Sequence, residues 1–176
     1  MDLAKELLKQ PTPEWTAEVR DYVCTSKDRF NLLMNIFLNH HSHDYRLNQR
    51  AGLIILSVEQ VRMPWVVERI PDMVKVLHPN LSVAYKRNAL RLLQNHKIPE
   101  HLWGHAADQC FQYLASSEEP VAVKVFSMTV LFNLTKDIPE LATELRMLIE
   151  DQYPFGSPGF KARGRKVLKA LQKDGH

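Results

Sequence analysis

A pattern centred on Tyr85 returns at a nearly fixed interval, and this recurrence constrains the chain more than any other feature of it. With Tyr85 as position zero, Lys86 follows at one, Ala89 at four, and Leu92 and Leu93 at seven and eight. A shift of 38 residues puts Val123, Lys124, Ser127, Val130 and Leu131 in the same places. The reverse shift finds Leu47, Asn48, Ala51, Ile54 and Ile55, and 37 residues beyond the third copy stand Phe160, Lys161, Gly164, Val167 and Leu168. At about 100° per residue the apolar members form one stripe along a helix, with a small residue in it where a neighbour can approach closely. One such unit cannot bury its own stripe, whereas stacked copies can.

Between the copies the spacing predicts second helices over about 64–77, 99–114 and 139–149, opened by Pro64, Pro99 and Pro139. Proline suits a first helical turn because its missing N–H would be unpaired there anyway. Pro71, inside the first of these segments, predicts a kink. The connections over 60–63, 78–81 and 116–119 are short, which favours antiparallel pairs. Upstream, residues 1–12 form a short amphipathic segment with Leu3, Leu7 and Leu8. A helix follows to Cys24 carrying Trp15, Val19, Tyr22 and Val23. The next, 27–39, is apolar nearly all round, with Phe30, Leu32, Leu33, Met34, Ile36, Phe37 and Leu38, and is expected to be covered on several sides. No stretch alternates with period two, so no sheet is expected.

The pattern of an apolar residue, a basic one, a small one at four and an apolar pair at seven and eight resembles the first helix of HEAT repeats, in the armadillo-type class of helical arrays. Prolines at the second helices and the period near 38 agree with it. Asn48 departs from it, standing where the other copies have Lys. The resemblance implies an all-α fold, a right-handed α–α superhelix (solenoid) of antiparallel helix pairs, used as a binding scaffold rather than for a reaction. The expected organisation is one elongated domain over 1–176. It comprises an N-terminal degenerate pair over 1–41, three helix pairs over 42–156 and a basic capping helix over 157–176.

Charge and cysteine usage narrow the functional classes. Of the 23 Lys or Arg and 20 Asp or Glu, six and one respectively fall between Ser157 and His176, which leaves the rest of the chain net acidic. Attraction to polyanions is therefore expected at the C-terminal end. Cys24 and Cys110 lie far apart without metal-ligand spacing, as reduced thiols of a cytoplasmic protein do. Asp2, Lys5 and Glu6 interrupt the N-terminus before any secretory apolar segment develops. The longest unbroken apolar run, Leu53 to Leu56, is far shorter than a membrane span.

The residues expected to meet a partner protein or peptide lie on the wet side of the second helices, which the resemblance puts on the concave face. With Val66, Leu102 and Leu141 taken as equivalent core places, successive rows are Trp65, His101 and Glu140, then Arg69, His105 and Glu144, then Asp72, Asp108 and Met147. Gln112 extends this face by a turn. Trp65 is the apolar anchor of the set.

The alternative is nucleic-acid binding through the C-terminal helix, where Lys161, Arg165 and Lys169 recur every four residues and Arg163 and Lys166 broaden the stripe. A third reading, a HEAT-like glycosylase for alkylated DNA bases, needs an aromatic and aspartate cleft with basic flanks. Trp65, Asp72 and Asp108 imitate it, but Glu140 and Glu144 would repel phosphate. His101 and His105 share a side as zinc ligands do, without the further ligands a site needs, so no metal and no cofactor are expected. His40, His41, His43, His78 and His96 suit helix C-terminal ends, where the dipole favours a cation.

Overall fold

A computed structural model describes residues 1–39, 44–61 and 64–175, and every regular element among these residues is a helix. Five helices form a first layer. They are α2 (Pro13–Cys24), α4 (Tyr45–Gln60), α7 (Val83–Leu93), α9 (Val121–Thr135) and α11 (Pro158–Lys173), each packed on the next. The stripe explains the stack. Ala51, Ile54, Ile55, Tyr85, Ala89, Leu92, Leu93, Val123, Val130, Leu131, Phe160 and Val167 are all buried. At position four the small residue is required: a Cβ on Gly164 would come within 3.0 Å of Ile149 Cγ2. Side-chain caps fix the starts, with Thr12, Asp44, Ser82 and Ser157 each accepting a backbone N–H of the first turn.

The second layer is α3 (Lys27–Leu38), α5 (Trp65–Glu68), α6 (Ile70–Lys75), α8 (Trp103–Ala115) and α10 (Leu141–Gln152). α3 lies against α2 and α4, α8 chiefly against α9, and α10 against α9 and α11. The segment expected as one kinked helix over 64–77 is two pieces with a break at Arg69. Pro71 offers no N–H to the turn before it, so α6 starts afresh at Ile70. The other prolines also do something different from opening an α-helix directly. The carbonyls of Pro64, Pro99 and Pro139 accept the N–H three residues on, from Val67 at 3.1 Å, Leu102 at 2.9 Å and Ala142 at 3.0 Å. Each therefore heads a tight turn that feeds the helix.

The apolar residues of α1 (Leu3–Glu6) and α3 are not all buried. Leu3 and Leu7 are buried, but Leu8 is exposed. In α3, Phe30, Leu33, Met34 and Phe37 are buried and Ile36 and Leu38 half-buried, while Leu32 is 51% exposed, so this helix is covered by several neighbours but keeps one wet strip. The ring of Phe37 stacks on Tyr85 of α7 with centroids 4.5 Å apart, which joins the N-terminal pair to the core of the repeats.

Candidate functional site

The +1 position of the repeat is a structural tie in the first three copies. Asn48 is buried and its Nδ2 donates to the carbonyls of Ile36 (2.9 Å), Phe37 (3.1 Å) and Asn39 (2.8 Å), the unpaired C-terminal end of α3. Lys124 donates to Gln152 Oε1 at 2.7 Å, and Gln152 in turn donates to Leu114 O at 2.9 Å, at the end of α8. Desolvation holds the Lys124 ammonium below the usual lysine range, with Glu119 opposing it. Lys86 is buried in an ion pair with Glu119 and lies 5.0 Å from the Tyr113 ring centroid. The Tyr113 hydroxyl donates to His78 O at 2.9 Å. Asn48 is thus no defect in the pattern. A short amide reaches the carbonyls there directly.

Of the residues expected on the second-helix face, the first three are engaged internally. Trp65 is half-buried and packs on Phe30, ring centroids 5.9 Å apart. Arg69 Nε donates to Asp72 at 2.7 Å, and its terminal nitrogens donate to Asn31 and Asn35 at 3.0 Å each. The guanidinium therefore clamps the break between α5 and α6 onto α3. Sequence alone could not place this, because Asn31 and Asn35 lie more than thirty residues away. His101, His105, Asp108, Gln112, Glu140 and Glu144 are exposed and make no side-chain hydrogen bond or ion pair among the described residues. No metal-ligand group of three or more His, Cys, Asp or Glu occurs among the described residues. Met147, 64% exposed, stands one turn from Glu144.

On α10, Ala142, Leu145 and Ile149 are buried, and Leu141 is half-buried against the same core.

On α11, Arg165, Lys166 and Lys169 are exposed and Lys161 is half-buried, none of them paired with a carboxylate among the described residues. Arg165 Nε lies 3.4 Å from the Tyr153 hydroxyl. Arg163 belongs elsewhere: it donates to Thr129 on α9 and to Gln94 Oε1, just after α7, at 3.4 Å. Three of the histidines expected at helix ends, His40, His41 and His43, lie outside the described residues. His96 pairs with Glu59 of α4 at 3.0 Å across the layer instead of capping its own helix.

Charge also differs between the layers. The first-layer helices α2, α4, α7, α9 and α11 carry one, two, three, one and six Lys or Arg, against four carboxylates, Glu14, Glu18, Asp21 and Glu59. The second-layer helices carry four Lys or Arg against seven Asp or Glu. Because the two kinds of helix alternate along the chain, a charge count by segment averages the layers and hides the contrast.

Helix pairs in register, a shared core and two chemically distinct faces define an α–α superhelical repeat protein. Comparison with protein-family models matches residues 3–171 to the HEAT repeat domain, and the chain belongs to the HEAT repeat family. HEAT repeats generally serve as scaffolds for protein–protein interaction. Neither a comparison with curated proteins nor one with solved structures returns a match. No helix among the described residues is long and apolar enough to cross a membrane.

Proposed function

We propose that this chain is a non-enzymatic scaffold that binds a partner protein or peptide on the concave face formed by its second helices. The observation that carries the reading is the row His101, His105, Asp108, Gln112 and Glu144, exposed and without internal polar bonds, beside the exposed thioether of Met147. Polar groups free of internal partners are available to a ligand without first breaking a bond of the fold. Met147 offers the adaptable apolar contact that a polar rim surrounds in a binding patch. The acidic balance of the second-layer helices suits a segment with basic and apolar side chains. Trp65, held on Phe30, frames the face at its N-terminal end.

The test is affinity capture from nuclease-treated lysate with the wild-type chain beside a His105→Ala/Asp108→Ala/Glu144→Ala/Met147→Ala variant. Partners retained by the wild type and lost by the variant, with helix content unchanged, are expected. Partners that bind both equally would remove the second-helix face from consideration.

A further inference from the structure

We propose that the outer side of the first-helix layer binds the phosphate backbone of a nucleic acid, along a track running from a three-arginine recess between α4 and α7 to the lysines of α11. This surface lies on the other layer from the partner face above and does not rest on that reading.

The recess is the first half of the argument. Arg50, Arg87 and Arg91 line a pocket of about 250 Å³ with Asn88, Leu53 and Leu56. Arg87 and Arg91, four apart on α7, are exposed and make no ion pair or side-chain hydrogen bond among the described residues. Arg50 is positioned by a 2.9 Å bond from its NH1 to Leu7 O; Asp44 feels its charge, but no carboxylate lines the recess itself. Three guanidinium groups around a recess lined by no carboxylate repel one another, and an anion bound there removes that repulsion. Arginine also meets phosphate oxygens with paired donors.

The second half is continuity. Arg163 of α11 reaches Thr129 and Gln94, which fixes these three side chains on one ridge across α7, α9 and α11. Arg91 and Arg87 stand three and seven residues before Gln94, on its side of α7, and Lys166 stands three after Arg163. Lys169 continues from Lys166 by the same step. Between the two clusters, α9 contributes Val125 and Thr129 and holds no acidic residue at all. Neighbouring helices pack about 8–10 Å apart, so the clusters on α7 and α11 stand roughly 20 Å from each other.

That separation selects the partner. One phosphorylated side chain or a free phosphate can fill the recess but cannot reach α11. A nucleic-acid strand presents a charge about every 3.4 Å of its length, so a single strand meets both ends at once. A flat anionic bilayer reaches the lysines, but a recess is closed to a plane.

The experiment is fluorescence anisotropy of the full chain with a labelled DNA duplex of about two helical turns and with a single-stranded RNA of the same length, from about 50 to about 200 mM salt. We expect binding to at least one probe that weakens steeply with salt. Arg87→Ala/Arg91→Ala and Lys166→Ala/Lys169→Ala are each expected to weaken it about tenfold or more at low salt. Each pair should lower the log–log salt slope by about two, one per lost phosphate contact. Lys27→Ala/Lys75→Ala, on the second layer, should leave affinity within about twofold. Melting curves by circular dichroism confirm that the variants are folded, and glutamine at the same two positions replaces any alanine pair that is not. The proposal is overturned by absence of binding to both probes at low salt, or by equal weakening from the Lys27/Lys75 pair. It is also overturned if only one of the two cationic pairs matters, which would mean a local anion site. Binding to phosphatidylserine-containing vesicles but to neither nucleic acid would overturn it in favour of a membrane surface.

Discussion

The two layers arise from one repeat and come out differently. First helices are continuous, with a small residue where the repeated copies touch, and α4, α7 and α11 carry cations along the outside. Apart from α3, second helices are broken or begin with tight turns, and as a layer they are net acidic, with an internally unpaired polar row on α8 and α10. The difference follows from position in the stack. Apart from the end members, a first helix lies between two others like itself and also meets second helices, so its apolar stripe tolerates little variation. A second helix packs mainly inward and keeps one side wet, where sequence is free to drift or to be used.

The contrast implies that cations of the first layer divide into two kinds, inward ties and outward charges, and mutagenesis can break that division. Lys86→Ala leaves Glu119 buried without its counter-charge and is expected to cost about 3–5 kcal/mol by urea unfolding. Arg87→Ala, on the next residue but exposed, is expected to stay within about 0.5 kcal/mol. Equal losses at both would dissolve the distinction.

Glycine sharpens the same comparison at smaller magnitude. Gly164→Ala pushes a methyl against Ile149 and Tyr153 and should cost about 1–3 kcal/mol. At Gly104 of the second layer a Cβ meets nothing within 4 Å, so Gly104→Ala should gain about 0.5–1 kcal/mol from helix propensity. A loss at Gly104 would show that the second layer is packed as closely as the first.

The mildest test concerns the core that the layers share. Burial pushes the Cys110 thiol up to about 12 and raises the Tyr85 and Tyr113 phenols above their usual range. A raised native pKa means that the folded chain keeps a proton which the unfolded chain has released. Stability present below about pH 9 should therefore fall as pH rises toward 12, by at most about 1.4 kcal/mol per pH unit for the thiol. Cys110→Ala should flatten the early part of that decline, measured as urea midpoints between pH 8 and pH 10. An unchanged slope would mean that Cys110 is not the group responsible.

Much of the fold was legible in the sequence because burial on two sides enforces a period. Tyr85, Ala89, Leu92 and Leu93 could be matched to the other copies by residue size alone. The site was less legible, for identifiable reasons. Trp65 looked available because Phe30, which covers it, comes from a different pair. Arg163 shared the helix and charge of Arg165 and Lys166, yet its angular position turns it toward Thr129. Arg87 and Arg91 stand four apart on one helix, but Arg50 joins them only through the packing of α4 on α7. What periodicity reports is which side of a helix is dry. It carries no record of which wet residues are tied to one another.

Arg163 gives the array one further property. In a linear stack each unit touches only those beside it, so an end can peel away one unit at a time. The Arg163 side chain leaves α11, passes the adjoining α9 and bonds Gln94 at the end of α7, 69 positions back in the chain. The terminal helix is stitched to its next-but-one neighbour as well as to its nearest. Detachment of α11 thus disturbs two junctions together, and fraying at this end proceeds in a larger cooperative step than nearest-neighbour coupling alone would set.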